Sequence, residues 1–324
     1  MRAVVCKAFG PPEDLVVETV SDPVAGPGEV LIDVKAAAVT FPDTLMLENR
    51  YQYKVTTPFV PGGEVAGVVA AVGTGVTTPK VGDRVVAGLA RSGAFAERAV
   101  ASAAAARVLP DGVGFAESTA LTYAYGTSLY GLKYRGQLRA GETLLVLGAG
   151  GNVGLSAVEV GKLMGARVIA AASSEEKLEV CRQRGADETI DYATENLKER
   201  AKELTGGKGV DVVYDCVGGD YAEAALRATA WNGRFLVIGF TAGIPSIPLN
   251  LTLLKSCQIV GVFYGAMTER EPELNDAVRR ELLEFTAAGK LHPHVSVRYP
   301  LERAGEALRS LIDRKAIGKV VIEP

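Results

Sequence analysis

The feature that most constrains this chain is a glycine-rich run, Val146-Leu147-Gly148-Ala149-Gly150-Gly151-Asn152-Val153-Gly154. Leu144–Leu147 before it is uniformly apolar, as in a strand covered on both faces of a parallel sheet. Asn152–Gly165 after it repeats its apolar residues with helical period. Glycines in such a strand-to-helix turn let backbone N–H groups approach a pyrophosphate, and the helix N-terminus adds partial positive charge. The G-x-G-x-x-G spacing is met with Ala149 in the first place, then Gly151 and Gly154. Gly148, Gly151, Asn152, Val153 and Gly154 are therefore the expected dinucleotide-binding turn. The competing reading is a tight turn that binds nothing.

Downstream, strands and helices alternate. Arg167–Ala172, Val210–Tyr214, Arg234–Ile238 and Gln258–Val262 read as strands, and Glu175–Arg184 and Tyr221–Thr229 as helices. This order predicts βαβ units and a doubly wound parallel sheet, a Rossmann domain. Up to about Leu109 the texture differs. Short apolar runs such as Glu29–Val34, Gly67–Val72 and Asp83–Ala87 are separated by turn signals such as Gly26-Pro27-Gly28 and Val81-Gly82-Asp83. They predict an antiparallel, partly barrel-like β domain. Glu273–Ala288 reads as an amphipathic helix closed by Gly289, and the tail returns to mixed strand and helix.

The end of the second parallel strand sets the type of dinucleotide. An NAD site places an acid there to bond the ribose 2′-hydroxyl. This chain instead reads Ala172-Ser173-Ser174-Glu175-Glu176-Lys177. Ser173 and Ser174 offer hydroxyl groups and Lys177, one helical turn on, offers a cation. Those groups suit a 2′-phosphate, which a carboxylate would repel. The expected cofactor is NADPH. Glu175 and Glu176 also fit an ordinary acidic helix start, and Lys177 an ordinary surface lysine.

Composition narrows the rest. At roughly 150 residues per domain, a chain of 324 residues makes two. A net charge of −3 gives no electrostatic case for nucleic acid or an acidic membrane surface. Neither a signal peptide nor a bilayer-spanning apolar run is evident, which makes the cytoplasm the expected location. The four cysteines, Cys6, Cys181, Cys216 and Cys257, are scattered and read as buried free thiols. The two histidines, His292 and His294, lack nearby partners for a metal.

Taken together, the chain resembles the quinone oxidoreductase (zeta-crystallin-like) branch of the zinc-free medium-chain dehydrogenase/reductase superfamily. The resemblance runs along essentially the whole chain. It rests on Val39-Thr40-Phe41-Pro42-Asp43-Thr44-Leu45, Pro61-Gly62-Gly63-Glu64-Val65-Ala66-Gly67 and Val81-Gly82-Asp83-Arg84-Val85, and on the glycine turn. It continues in Gly185-Ala186-Asp187, Asp211–Gly219 and Arg234–Phe240. Zinc-dependent relatives carry a cysteine and a Gly-His-Glu motif where this chain has Thr40-Phe41-Pro42-Asp43 and Gly62-Gly63-Glu64, so no metal is expected.

The resemblance implies a GroES-like β-rich catalytic domain of residues 1–125 and 264–324 and a Rossmann domain of residues 126–263. It implies a substrate cleft between them and a homodimer. By the same resemblance Tyr192 lies by the adenosine phosphates, Thr127 or Ser128 reaches the carboxamide, and Gly239 and Phe240 face the nicotinamide. Phe263 and Tyr264 line the cleft, and Lys319 sits near the phosphates or is simply solvated. Relatives carry asparagine in place of Thr40 beside the nicotinamide. Tyr51 matches a substrate-pocket tyrosine, and Tyr51 and Tyr53 are the local candidates for proton donor or stacking surface; packed half-buried tyrosines are the alternative. The implied activity is hydride transfer from NADPH to a quinone or other conjugated carbonyl, with Thr40 and Tyr51 assisting. Two alternatives stay open: reduction of an enoyl thioester or alkenal, and a non-catalytic NADPH-binding protein.

Overall fold

The computed structural model describes residues 1–89 and 92–324, and the apolar runs of its first third become strands. These are β1 (Arg2–Val5), β2 (Val16–Thr19), β3 (Glu29–Val39), β4 (Glu64–Val72), β5 (Arg84–Gly88), β6 (Arg98–Ser102) and β7 (Ala106–Val108). Val30, Ile32 and Val34 point into the core from alternate positions of β3, while Leu31 and Asp33 are more open. This is the period-two pattern of a half-covered strand. β3 is the organising strand, antiparallel to β4 along one side and to β6 on the other. Helix α1 (Phe41–Leu47) follows β3 with one residue, Thr40, between them, and α2 (Phe115–Ala120) follows β7.

A parallel sheet occupies residues 123–292, the second of two compact units. It begins after α3 (Gly126–Leu129) with β8 (Thr143–Leu147), α4 (Asn152–Leu163), β9 (Arg167–Ala172), α5 (Glu175–Gln183) and β10 (Glu188–Asp191). It continues with α6 (Leu197–Leu204), β11 (Val210–Asp215), α7 (Gly219–Ala228), β12 (Thr229–Val237), α8 (Asn250–Lys255) and β13 (Gln258–Gly261). Helices α9 (Tyr264–Arg270) and α10 (Pro272–Ala287) close the unit. The six strands lie in the order β10-β9-β8-β11-β12-β13, and every pairing is parallel. The order reverses between β8 and β11, the switch point outside which doubly wound sheets bind ligands. Leu144, Leu145, Val146 and Leu147 are completely buried, as helices on both faces require.

The last residues, 293–324, rejoin the first unit. They form β14 (Val295–Tyr299), α11 (Ala304–Ile312) and β15 (Lys319–Ile322), and β15 adds antiparallel to the end of β3. The returning segment is shorter than the one expected from residue 264. Residues 264–292 belong to the second unit, where α10 buries Val278 and Leu282 and packs on α9 and α3. Among the described residues, no helix is long and apolar enough to cross a membrane.

Candidate functional site

In the second unit, the glycine turn leaves β8 at the switch point. Gly148 adopts a φ of 69°, in the left-handed region that favours glycine. A Cβ on Gly148 would sit 2.9 Å from Val217 of the loop after β11, so the two switch-point loops are in contact. A Cβ on Gly154 would collide with the Gly148 carbonyl oxygen, so this glycine lets α4 close against the turn. Gly151 differs. Its φ of −81° is ordinary, and the nearest atom to a Cβ there is the Gly148 oxygen at 3.5 Å. The fold does not need a glycine at that position, but a ligand lying over the start of α4 would. Gly151 caps α4 without a side-chain hydrogen bond, and the first turn, with Asn152 and Val153, holds no acid. Its N–H groups are the donors that an α-helix leaves unmatched.

Next to this turn stands a small polar cluster with one lysine. A Cβ on Gly150 would meet the Lys177 side chain at 2.6 Å, so the lysine stem lies across the glycine turn. Lys177 Nζ donates to Ser173 Oγ at 3.3 Å. Ser174 caps α5, accepting from the Lys177 amide at 3.5 Å. Glu175 is held by Arg182 at 2.7 Å, and its carboxyl titrates below the usual range because of that hydrogen bond. The expected serines and lysine thus converge, while Glu175 is engaged along its own helix and Glu176 stays exposed. Tyr192 follows β10 in register beyond the Asp191–Ala172 pair. Its amide donates to Ala172 O at 3.1 Å, and its ring packs on Tyr221 with centroids 4.6 Å apart.

Other expected positions divide. Gly239 follows β12, and its amide donates to Asp215 O at 3.2 Å. Phe240 is 43% exposed and Phe263 50%. Thr127 is half-buried. Ser128 is completely buried and spends its hydroxyl on Ser156 at 2.8 Å and Tyr214 at 3.0 Å, so of that pair only Thr127 can face a ligand. Tyr264, expected to line the cleft, is instead an interior residue of the second unit. It is 2% exposed, packs over Gly126, where a Cβ would meet its hydroxyl at 2.5 Å, and bonds Asn275 at 3.2 Å.

In the first unit, Thr40 links β3 to α1 as the N-cap. Its amide and Oγ1 both donate to Asp43 Oδ2, at 2.7 and 2.6 Å. Tyr51 and Tyr53 meet edge to face with centroids 5.8 Å apart. Burial, then Tyr53 and Asp43, push the Tyr51 hydroxyl above its usual pKa, so it stays protonated at neutral pH and can donate. Lys319 is neither solvated nor available to a phosphate. It is completely buried and ion-paired at 3.1 Å to Glu64, itself completely buried. A lysine in this setting persists only because its charge is matched.

Sequence reasoning missed two residues. Buried Asp215 accepts from the amides of Val217 and Gly218 at 2.8 and 2.9 Å, tying down the loop that touches Gly148. Asp43 stood in the Thr40 motif without a role. The signal for it was a threonine followed three residues later by an acid, the spacing of a capping box.

Two family models match the chain: an alcohol dehydrogenase GroES-like domain over residues 26–121 and a zinc-binding dehydrogenase over residues 152–280. The name of the second does not fit this donor set, since Thr40, Phe41 and Gly63 offer neither thiolate nor imidazole where zinc-dependent relatives bind the metal. The chain is 40% identical to the quinone oxidoreductase-like protein 2 homolog of Nematostella vectensis, over 99% of this chain and 88% of that protein. It is 32% identical to human quinone oxidoreductase, over 99% of this chain and 97% of that protein. The crystal structure of Escherichia coli quinone oxidoreductase complexed with NADPH matches it with a TM-score of 0.92 at 29% identity, covering all of both chains. With these likenesses and a GroES-like unit followed by a Rossmann sheet, the chain belongs to the quinone oxidoreductase family of the zinc-free medium-chain dehydrogenases/reductases.

Proposed function

We propose that this protein is an NADPH-dependent reductase that delivers hydride to a conjugated carbonyl, with quinones as the first substrate class. The observation that carries the reading is the convergence of Ser173, Lys177 and the glycine turn at the switch point of a parallel sheet. The Gly151 turn and the start of α4 would take the pyrophosphate, and Ser173, Ser174 and Lys177 the 2′-phosphate, with Tyr192 beside it. Thr127, Gly239 and Phe240 would hold the nicotinamide end. Bound there, the reduced nicotinamide supplies the hydride.

The remaining work falls to side chains of this chain. A hydroxyl donor from Thr40 or Tyr51 stabilises negative charge as it grows on the acceptor's carbonyl oxygen. Phe240 and Phe263, both partly exposed in the second unit, are candidate stacking surfaces for a flat acceptor, which favours quinones over enoyl thioesters.

The test is NADPH consumption by the purified protein against matched panels of quinones and 2-enoyl thioesters. Saturable oxidation with quinones is the expected result. Oxidation with thioesters alone would reassign the substrate class. Binding without turnover on either panel would overturn the reductase reading and leave a non-catalytic NADPH-binding protein.

A further inference from the structure

A threonine hydroxyl has one proton, and here Thr40 gives it to Asp43. The Oγ1–Oδ2 separation of 2.6 Å is that of a charge-assisted O–H···O bond. The accepting carboxyl is deep, with Asp43 3% exposed and its neighbours Glu64 and Lys319 not exposed at all. The nearby cation is already matched, because Lys319 pairs with Glu64. Thr40 itself is half-buried, so the pair runs from a buried acid to a group that reaches the edge of its unit.

We propose that Asp43 is a positioning residue that sets the direction in which the Thr40 hydroxyl donates, and that the two form a proton relay to the reduced acceptor. This rests on the reductase reading and names its proton source. While Asp43 is ionised it holds the Thr40 proton, and Oγ1 presents only lone pairs outward. Once Asp43 is protonated, its own O–H donates to Oγ1, and the Thr40 proton turns toward the acceptor's carbonyl oxygen. As that oxygen gains negative charge from hydride addition, it takes the Thr40 proton. The Thr40 O–H bond breaks, a new O–H bond forms on the acceptor, and Oγ1 takes the proton of Asp43. Asp43 is left as a carboxylate and is reprotonated from water. A carboxamide at this position could donate a hydrogen bond but could not hand on an acid's proton in this way.

The surroundings of Asp43 suit a group that changes protonation in a useful range. Its carboxyl is raised from 3.8 to about 6, with burial the leading cause and Glu64 acting the same way, against the two Thr40 bonds and Lys319. Tyr51, on the loop after α1, also senses the Asp43 charge. Helix α11 packs on α1, and its Arg309 is paired outward with Glu13 at 2.6 Å.

The experiment follows kcat against pH for the wild type, Thr40→Ser, Thr40→Val and Asp43→Asn, together with an infrared titration of the cofactor-free proteins. In wild type and Thr40→Ser, kcat should fall as pH rises through about 6, because the protonated acid is the active form. Thr40→Val and Asp43→Asn should lose that dependence. At low pH both should run about a hundredfold slower, the lower range of general acid catalysis, with KM for NADPH little changed. The protonated-carboxyl band should appear in wild type below about pH 6, be missing in Asp43→Asn and move in Thr40→Val. Thr40→Val leaves the aspartate in place, so a misfolded Asp43→Asn does not remove the test. An unchanged pH profile in Thr40→Val, or a wild-type band that never appears, overturns the relay. A wild type that binds NADPH but reduces no acceptor sinks the reductase reading, and the infrared titration then decides the Asp43–Thr40 switch by itself.

Discussion

Lys319 shows how much a single residue's setting decides. Completely buried against Glu64, it is part of the folded interior of its unit. Removing one partner of such a pair strands the other charge. Lys319→Met should therefore destabilise the protein by roughly 3–5 kcal/mol, read as a lower urea midpoint. Lys319→Met combined with Glu64→Leu should recover most of that loss, since a buried ion pair often costs as much as it contributes. An equal loss in the double variant would contradict the pairing. Nothing in Gly318-Lys319-Val320-Val321 announces this burial, because Glu64 lies far away along the chain and the pair exists only once β15 folds back beside β3. Tyr264 repeats the lesson, since its fit over Gly126 depends on a contact between distant segments. That Ser173, Ser174 and Lys177 lie together was legible because they are neighbours in sequence.

At the scale of elements, the glycine turn separates what the fold needs from what a ligand needs. Gly154→Ala forces a clash with the Gly148 carbonyl and should lower both stability and NADPH affinity. Gly151→Ala meets nothing nearer than 3.5 Å. It should change stability by no more than about 0.5 kcal/mol yet weaken NADPH binding about tenfold, the effect of losing roughly 1.4 kcal/mol. Thermal unfolding and cofactor titration of the two variants check this, and equal effects of Gly151→Ala on both would contradict a ligand over the turn. Strand β8 reads clearly because it is apolar throughout after Thr143, and β9, β11 and β12 because each carries a short apolar run, Val168–Ala172, Val212–Tyr214 and Phe235–Val237. β10 and α6 did not. β10 has Ile190 as its one buried residue, and α6, Leu-Lys-Glu-Arg-Ala-Lys-Glu-Leu, buries only Leu197 and Ala201, too faint an apolar stripe to stand out. Helix α1 was hidden by its brevity and by Pro42 in its first turn.

Across the whole molecule, the alternation of textures was enough to foresee a β-rich unit and a doubly wound one, and the family likeness carried the return of the C-terminus to the first unit. The exact point of return was not legible, because α9 and α10 carry amphipathic patterns that suit either unit until their partners are known. The central claim is that the second unit recognises NADPH by its 2′-phosphate. Its most direct test is a pair of equilibrium titrations, NADPH and NADH, on the wild type and on Lys177→Ala. The wild type should bind NADPH more tightly. Lys177→Ala should weaken NADPH binding about tenfold to a hundredfold, the worth of a hydrogen bond to a charged group at about 1.5–3 kcal/mol, and leave NADH binding nearly unchanged. Equal losses for both nucleotides, or a wild type that prefers NADH, would contradict the assignment.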